Sequence, residues 1–287
     1  MNLNTIRKLL FTNIFAERTF ITLLKANILT SFVNKLLPSN TLYRKETIRK
    51  VKRNEIAYAL DISDYQSWLI YFLSDEDTSL KMLTYLENAE IILDIGANIG
   101  QTALEINKDR QKHTDSFHII CFEPYPENYT KLQINFKLNE TQHIKAEKLG
   151  LGIAPKKVRM YKDCATNSGG NRMVYNASEN TLDVEEVEIT SLDNYLTSNN
   201  LHQVDFIKID VEGYEYEVLK GATNTLKQIK PKLFIELDDQ NLKHQGSSAY
   251  ELISFLEGFD YSIRDVEDKY TEDQLKTMTV HTDIYCE

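Results

Sequence analysis

Short apolar runs alternate with segments of helical period from residue 90 to the C-terminus, and this alternation constrains the fold more than any other feature. Glu90–Ile95, His118–Phe122, Ile144–Leu149, Phe206–Ile209 and Lys232–Leu237 are each too short for a helix and read as buried strands. Thr102–Lys108, Tyr125–Leu138, Tyr214–Ile229 and Ser248–Glu257 carry the helical pattern between them or just after, and Tyr261–Arg264 and Thr279–Tyr285 close the series as strands. Units of this kind in this order predict an α/β fold, a mostly parallel sheet with helices on both faces.

The first 56 residues differ in kind. Ile6, Leu9, Leu10, Ile14, Phe20, Leu24, Ile28, Phe32 and Leu36 recur at roughly helical spacing, and a basic connector with Arg44, Lys45, Arg49, Lys50, Lys52 and Arg53 follows. Residues 1–60 hold eleven Lys/Arg against three Asp/Glu, whereas the whole chain has a net charge of −10. The chain therefore divides into a basic amphipathic helical arm, 1–56, and an acidic body, 57–287. An acidic body repels polyanions, so nucleic acid is disfavoured as substrate. The arm suits peripheral contact with an anionic membrane, or equally packing against the acidic body or a second copy of the chain as a homodimer. No apolar run reaches the length of a membrane span. Three dispersed cysteines, without a CxxC pair, point to a reducing, cytoplasmic setting.

The strongest local signal is Leu93-Asp94-Ile95-Gly96-Ala97-Asn98-Ile99-Gly100, which follows a strand and opens a helix. Gly96 and Gly100 let backbone approach a ligand, and the helix start offers free N–H groups. Phe122-Glu123-Pro124 ends the next strand, and a carboxylate at that edge can accept hydrogen bonds from both hydroxyls of a ribose. The turn lacks the third glycine of a dinucleotide fingerprint and fits a mononucleotide-sized ligand such as S-adenosylmethionine better.

Four motifs in order, from about residue 57 to the C-terminus, resemble the FkbM family of O-methyltransferases. They are Leu60-Asp61-Ile62-Ser63-Asp64-Tyr65, the turn ending at Gly100, Phe122-Glu123-Pro124 with Asn135 to Asn139, and Val204-Asp205-Phe206-Ile207-Lys208-Ile209-Asp210-Val211-Glu212-Gly213-Tyr214-Glu215. The resemblance implies a Rossmann-like class I methyltransferase fold, with S-adenosylmethionine as cofactor and a hydroxyl of a saccharide, glycan or natural product as acceptor. It implies that Asp94, Gly96, Asn98 and Gly100 hold the amino-acid end of the cofactor, Glu123 the ribose, and Gly150 and Leu151 the adenine surroundings. The alternatives are a binding module that keeps the fold without the chemistry, and a methyltransferase of another acceptor class.

Asp210 ends the fourth strand at the edge where open α/β sheets bind ligands, and Lys208 projects to the same face. These two and His244 are the candidate catalytic residues. Asp238 and Asp239 end the fifth strand, 28 and 29 residues beyond Asp210, a spacing that resembles the metal-ligand aspartates of catechol-type and macrolide-sugar O-methyltransferases. Asp210, Asp238 and Asp239 are accordingly expected to be able to bind Mg²⁺ through oxygen ligands. Residues 153–190 are expected to form a hairpin or lid insertion, with Arg172 at its tip.

Overall fold

The computed structural model describes residues 17, 19, 22, 37–72, 78–86, 88–164, 167–173 and 184–287. Apart from those three positions, the N-terminal stretch expected to be helical lies outside the described residues, as does part of the 153–190 insertion. Two compact units are present: Met1–Val51 with Ala59–Glu76, and Lys52–Tyr58 with Asp77–Glu287.

The basic stretch, divided in sequence between the two units, is not an open connector. After a 3-10 turn at Asn40–Leu42 it forms β1 (Ile48–Arg53), which pairs with β2 (Ile56–Asp61) in a two-stranded sheet. The boundary expected after residue 56 thus falls inside a hairpin. Helix α1 (Tyr65–Phe72) starts where the Asp64 carboxylate accepts from Ser67 N at 3.1 Å, and it lines up Tyr65, Trp68 and Phe72 on one side. Glu17 is fully buried and accepts from Arg49 Nε at 2.8 Å, Arg49 Nη2 at 3.1 Å and the Tyr71 hydroxyl at 2.6 Å. A buried carboxylate needs that set of donors to offset its lost hydration.

The second unit holds the chemistry. Helix α2 (Thr78–Leu83) leads into β3 (Ile91–Ile95), and α3 (Gln101–Arg110), β4 (His118–Phe122), α4 (Pro126–Lys137) and β5 (Ile144–Glu147) follow. Then come β6 (Gly150–Leu151), β7 (Lys156–Cys164), β8 (Asn167–Met173) and β9 (Val184–Thr190). Helix α5 (Leu192–Ser198), β10 (Phe206–Ile209), α6 (Glu215–Lys220), a π turn at Thr225–Ile229, and β11 (Lys232–Asp238) continue the chain. Helices α7 (Asp239–His244) and α8 (Ala249–Glu257), strand β12 (Ile263–Asp265), α9 (Glu272–Thr277) and β13 (His281–Cys286) complete it.

The main sheet has the order β12-β13-β11-β10-β3-β4-β5. From β11 to β5 every pairing is parallel, and β13 and β12 add an antiparallel edge. The fold is therefore the Rossmann-like α/β arrangement expected. Its central strands are buried because helices cover both faces: Ile92, Leu93, Ile119, Phe122, Phe206, Ile207, Leu233 and Ile235 are all 1 % exposed or less. The chain order runs outward from β3 through β4 to β5 and then returns to β10 on the other side of β3. That reversal opens a crevice at the carboxyl ends of β3 and β10.

Three features departed from the sequence reading. The helix expected over Tyr214–Ile229 is α6 and a separate π turn, and the third strand ends at Glu147. Gly150 and Leu151 instead belong to a second sheet, β6-β9-β7-β8, in which β6 pairs with Ile189 and Thr190 of β9.

Candidate functional site

Sequence chemistry at the end of β3 dictates a tight turn. Gly96, Asn98 and Gly100 have φ of +84°, +49° and +85°, and left-handed backbone is strained for most side chains but open to glycine and tolerated by asparagine. Gly96 is indispensable for a second reason, since a Cβ there would sit 1.8 Å from the Asp210 carbonyl oxygen. At Gly100 a Cβ would meet the Phe136 ring at 2.6 Å. These glycines therefore serve close packing of the chain on itself, with any ligand approach additional to that. Asn135 in α4, fully buried, fixes the turn by donating to the Ile99 carbonyl at 2.9 Å.

Glu123 leaves β4 beside this turn and is 5 % exposed. Its Oε2 accepts from Asn98 N and its Oε1 from Tyr125 N, both at 2.9 Å. Burial pushes its carboxyl up to about 8, and the two backbone N–H donors offset only part of that rise. Each carboxylate oxygen keeps a further lone pair for an incoming hydroxyl. Asn98 Oδ1 is buried without a hydrogen-bond partner and offers an acceptor for a ligand donor. The turn thus supplies acceptors at both positions where a nucleoside with an amino-acid tail has donors, so the residues present fit S-adenosylmethionine.

Across the crevice stands a row of charge. The register pairs Lys208 with Asp94 and Ile209 with Ile235, and it pairs Glu236 with Asp283. Lys208 Nζ lies 3.0 Å from Asp210 Oδ2, 3.4 Å from Asp94 Oδ1 and 3.2 Å from the Gly96 carbonyl. Burial works against its charge, but the carboxylates of Asp210 and Asp94 outweigh that and hold its ammonium well above the ordinary range. Asp94, fully buried, is shifted upward by burial despite Lys208.

The sequence reading joined Asp210 to Asp238 and Asp239, and the structure assembles a different set. One carboxylate oxygen each from Asp210, Glu212 and Glu236 lies within 4.8 Å of the others. Asp238 is the N-cap of α7, accepting from Gln240 N and Asn241 N at 2.9 and 3.0 Å, and its other oxygen meets His281 Nδ1 at 2.9 Å. Asp239, 4 % exposed, accepts from Ala249 N at 3.0 Å and pairs with Lys243 at 2.6 Å. Position along the strand explains the difference. Glu236 comes abreast of Asp210, whereas Asp238 lies two residues further along and is taken up in starting a helix.

Glu236 is driven well upward, first by Asp210 and then by burial. Asp283 is raised to about 6 by burial and by Asp210. Glu212 has φ +54° and accepts from Asn241 Nδ2 at 3.1 Å. Glu215, 1 % exposed, holds that loop by accepting from Val211 N and Gly213 N at 3.0 Å, and burial lifts its carboxyl to about 7. His244 ends α7 exposed, and among the described residues no contact ties it to this group. Gly150 and Leu151 are buried, Leu151 in the main hydrophobic core.

Residues 94–263 match the family model described as "Methyltransferase FkbM domain". Among curated proteins, Methyltransferase 1 of Beauveria bassiana is 27% identical over 165 residues, covering 52% of this chain and 64% of that protein. Hexuronic acid methyltransferase AglP of Haloferax volcanii is 26% identical over 165 residues, covering 56% of this chain and 62% of that protein. The aligned part thus spans less than two thirds of these relatives' length. A crystal structure of a methyltransferase FkbM from Methylobacillus flagellatus KT aligns with TM-score 0.47 at 21% identity, covering 69% of this chain and 44% of that one.

Proposed function

Because the chain belongs to the FkbM methyltransferase family, we propose that it transfers the methyl group of S-adenosylmethionine to a hydroxyl oxygen of a saccharide, glycan or natural-product acceptor. The observation that carries this reading is the buried Glu123 carboxylate, aligned by Asn98 N and Tyr125 N beside the glycine turn. Its free lone pairs take the ribose hydroxyls, while Asn98 Oδ1 takes the ammonium of the amino-acid tail.

The sulfonium supplies an already activated methyl group, so the protein's work is alignment and proton removal. Asp210 is the group for the second task. Its side chain is 39% exposed at the crevice, and Lys208 Nζ lies 3.0 Å from its Oδ2. It accepts the proton of the acceptor hydroxyl as the oxygen–carbon bond forms. Glu236 stands next to it, its carboxyl driven well upward by Asp210 and by burial. Lys208 positions Asp210 and ties it to Asp94 and the glycine turn, linking acceptor side to cofactor side.

A saccharide acceptor is favoured by two things. The crevice offers carboxylates as acceptors for several hydroxyls, and the Haloferax volcanii relative carries the name of a hexuronic acid methyltransferase. The test is incubation with methyl-labelled S-adenosylmethionine and separate glycan, natural-product, protein and nucleic-acid fractions, with the product identified by mass spectrometry. A methyl ether on a saccharide or natural product is expected. Label confined to protein or nucleic acid would replace the acceptor class, and tight cofactor binding without any transfer would favour a binding module.

A further inference from the structure

A cleft of about 360 Å³ opens in the second unit well away from the cofactor turn. Asn107 and Gln111, at the far end of α3, form one side of it, seven and eleven residues beyond Gly100. At 1.5 Å per residue that places them roughly 10–16 Å down the helix from the turn. Leu138 and Glu140, past the end of α4, form another side, and residues from the hairpin turn between β1 and β2 close the third.

The cleft has fixed walls. Asn139 Oδ1 accepts from Ala57 N at 2.9 Å while its Nδ2 donates to the Ala57 carbonyl at 2.8 Å, and Lys108 pairs with Glu55 at 2.8 Å across the rim. Asn107 is 3 % exposed. Its Nδ2 donates to the Glu140 carbonyl at 2.9 Å, which fixes the amide plane, and its Oδ1 is buried with no hydrogen-bond partner. Buried amide oxygens almost always have a donor, so this one waits for a group that enters the cleft.

The lining selects the chemistry of that group. Lys52 and Lys108 balance Glu55 and Glu140, so the cleft has no formal charge to attract a phosphate or a nucleotide. It has no aromatic ring on which a flat heterocycle could stack. Leu104, Leu138 and Ile56 offer apolar surface, while Gln111, Lys52, Glu140 and Asn107 Oδ1 offer donors and acceptors in alternation. A pyranose ring has that same mixture, with C–H faces between hydroxyls that both donate and accept. We propose that this cleft is a saccharide subsite, holding one or two neutral pyranose rings with a hydroxyl donated to Asn107 Oδ1. It does not rest on the transferase reading. For a glycan acceptor it would dock sugar residues at a distance from the one that reacts.

The test is titration of the isotope-labelled full chain, without cofactor, with two neutral disaccharides, cellobiose and N,N′-diacetylchitobiose. The expected result is saturable shifts of the Asn107, Gln111 and Leu138 amides with at least one of them, in the millimolar range. Binding should weaken at least fivefold in Asn107→Ala and also in Gln111→Ala, a half-buried position. Shifts that never saturate with either sugar up to about 50 mM overturn the proposal. So do shifts that survive both substitutions, or inorganic phosphate moving the same amides more strongly than either disaccharide.

Discussion

The two walls of the crevice solve different problems. On the β3–β4 side a short stretch of backbone is bent into left-handed turns, and a single carboxylate, Glu123, completes it with two backbone N–H bonds. On the β10–β11–β13 side four carboxylates, Asp210, Glu212, Glu236 and Asp283, come together from three strands and a loop, and Lys208 is the cation that sits against them. The first wall is a rigid receptor whose shape is local. The second is an electrostatic device whose charge depends on where a few protons reside. A binding defect should follow damage to the first, and a chemical defect damage to the second.

The comparison breaks most visibly at Asp210. Asp210→Asn keeps shape but loses the proton acceptor, and turnover is expected to fall by at least about 100-fold, the lower range for a general base. Cofactor affinity measured by calorimetry should change less than threefold. Equal losses in the two would merge the walls into one site.

Lys208→Met removes the link between them. Taking away one partner of a buried ion pair costs about 3–5 kcal/mol, because Asp94 and Asp210 lose their counter-charge. Urea unfolding at pH 8 should show a loss in that range. A loss below about 1 kcal/mol would mean that Lys208 is not the counter-charge.

A smaller effect sharpens the picture of the first wall. Burial pushes the Glu123 carboxyl up to about 8, and ribose hydroxyls donate to its ionised form. Nucleoside binding is therefore expected to strengthen as pH rises toward and through 8, by roughly 25-fold between pH 6.5 and 8.5. Adenosine is the suitable probe because it lacks a titrating amino group. Affinity that is flat or falls over that range would show Glu123 binding in its protonated form.

The contrast also governs how much the sequence could say. Asp94, Gly96, Asn98, Gly100 and Glu123 were legible because their geometry is set within a few residues of strand ends that apolar runs reveal. Even Asn135, noted only as part of an Asn-rich stretch, proves to clamp the turn through Ile99. The acceptor wall needed register between strands distant in sequence. Counting from Asp210 to the nearest aspartates led to Asp238 and Asp239, but the in-register partner of Ile209 is Ile235, which brings Glu236 abreast of Asp210. Asp283 arrives on the antiparallel strand β13, whose pairing no local pattern reveals. The β1 strand was missed for a related reason, because Ile-Arg-Lys-Val-Lys-Arg reads as a charged linker unless its partner strand is known.

The claim on which the rest depends is that Glu123 anchors the cofactor. Calorimetry of S-adenosylmethionine binding to wild type and Glu123→Ala, with melting temperatures to confirm that the variant is folded, tests it directly. Loss of two hydroxyl bonds to a buried carboxylate predicts a weakening of about 2–4 kcal/mol. Wild-type affinity in a folded Glu123→Ala protein would contradict the account.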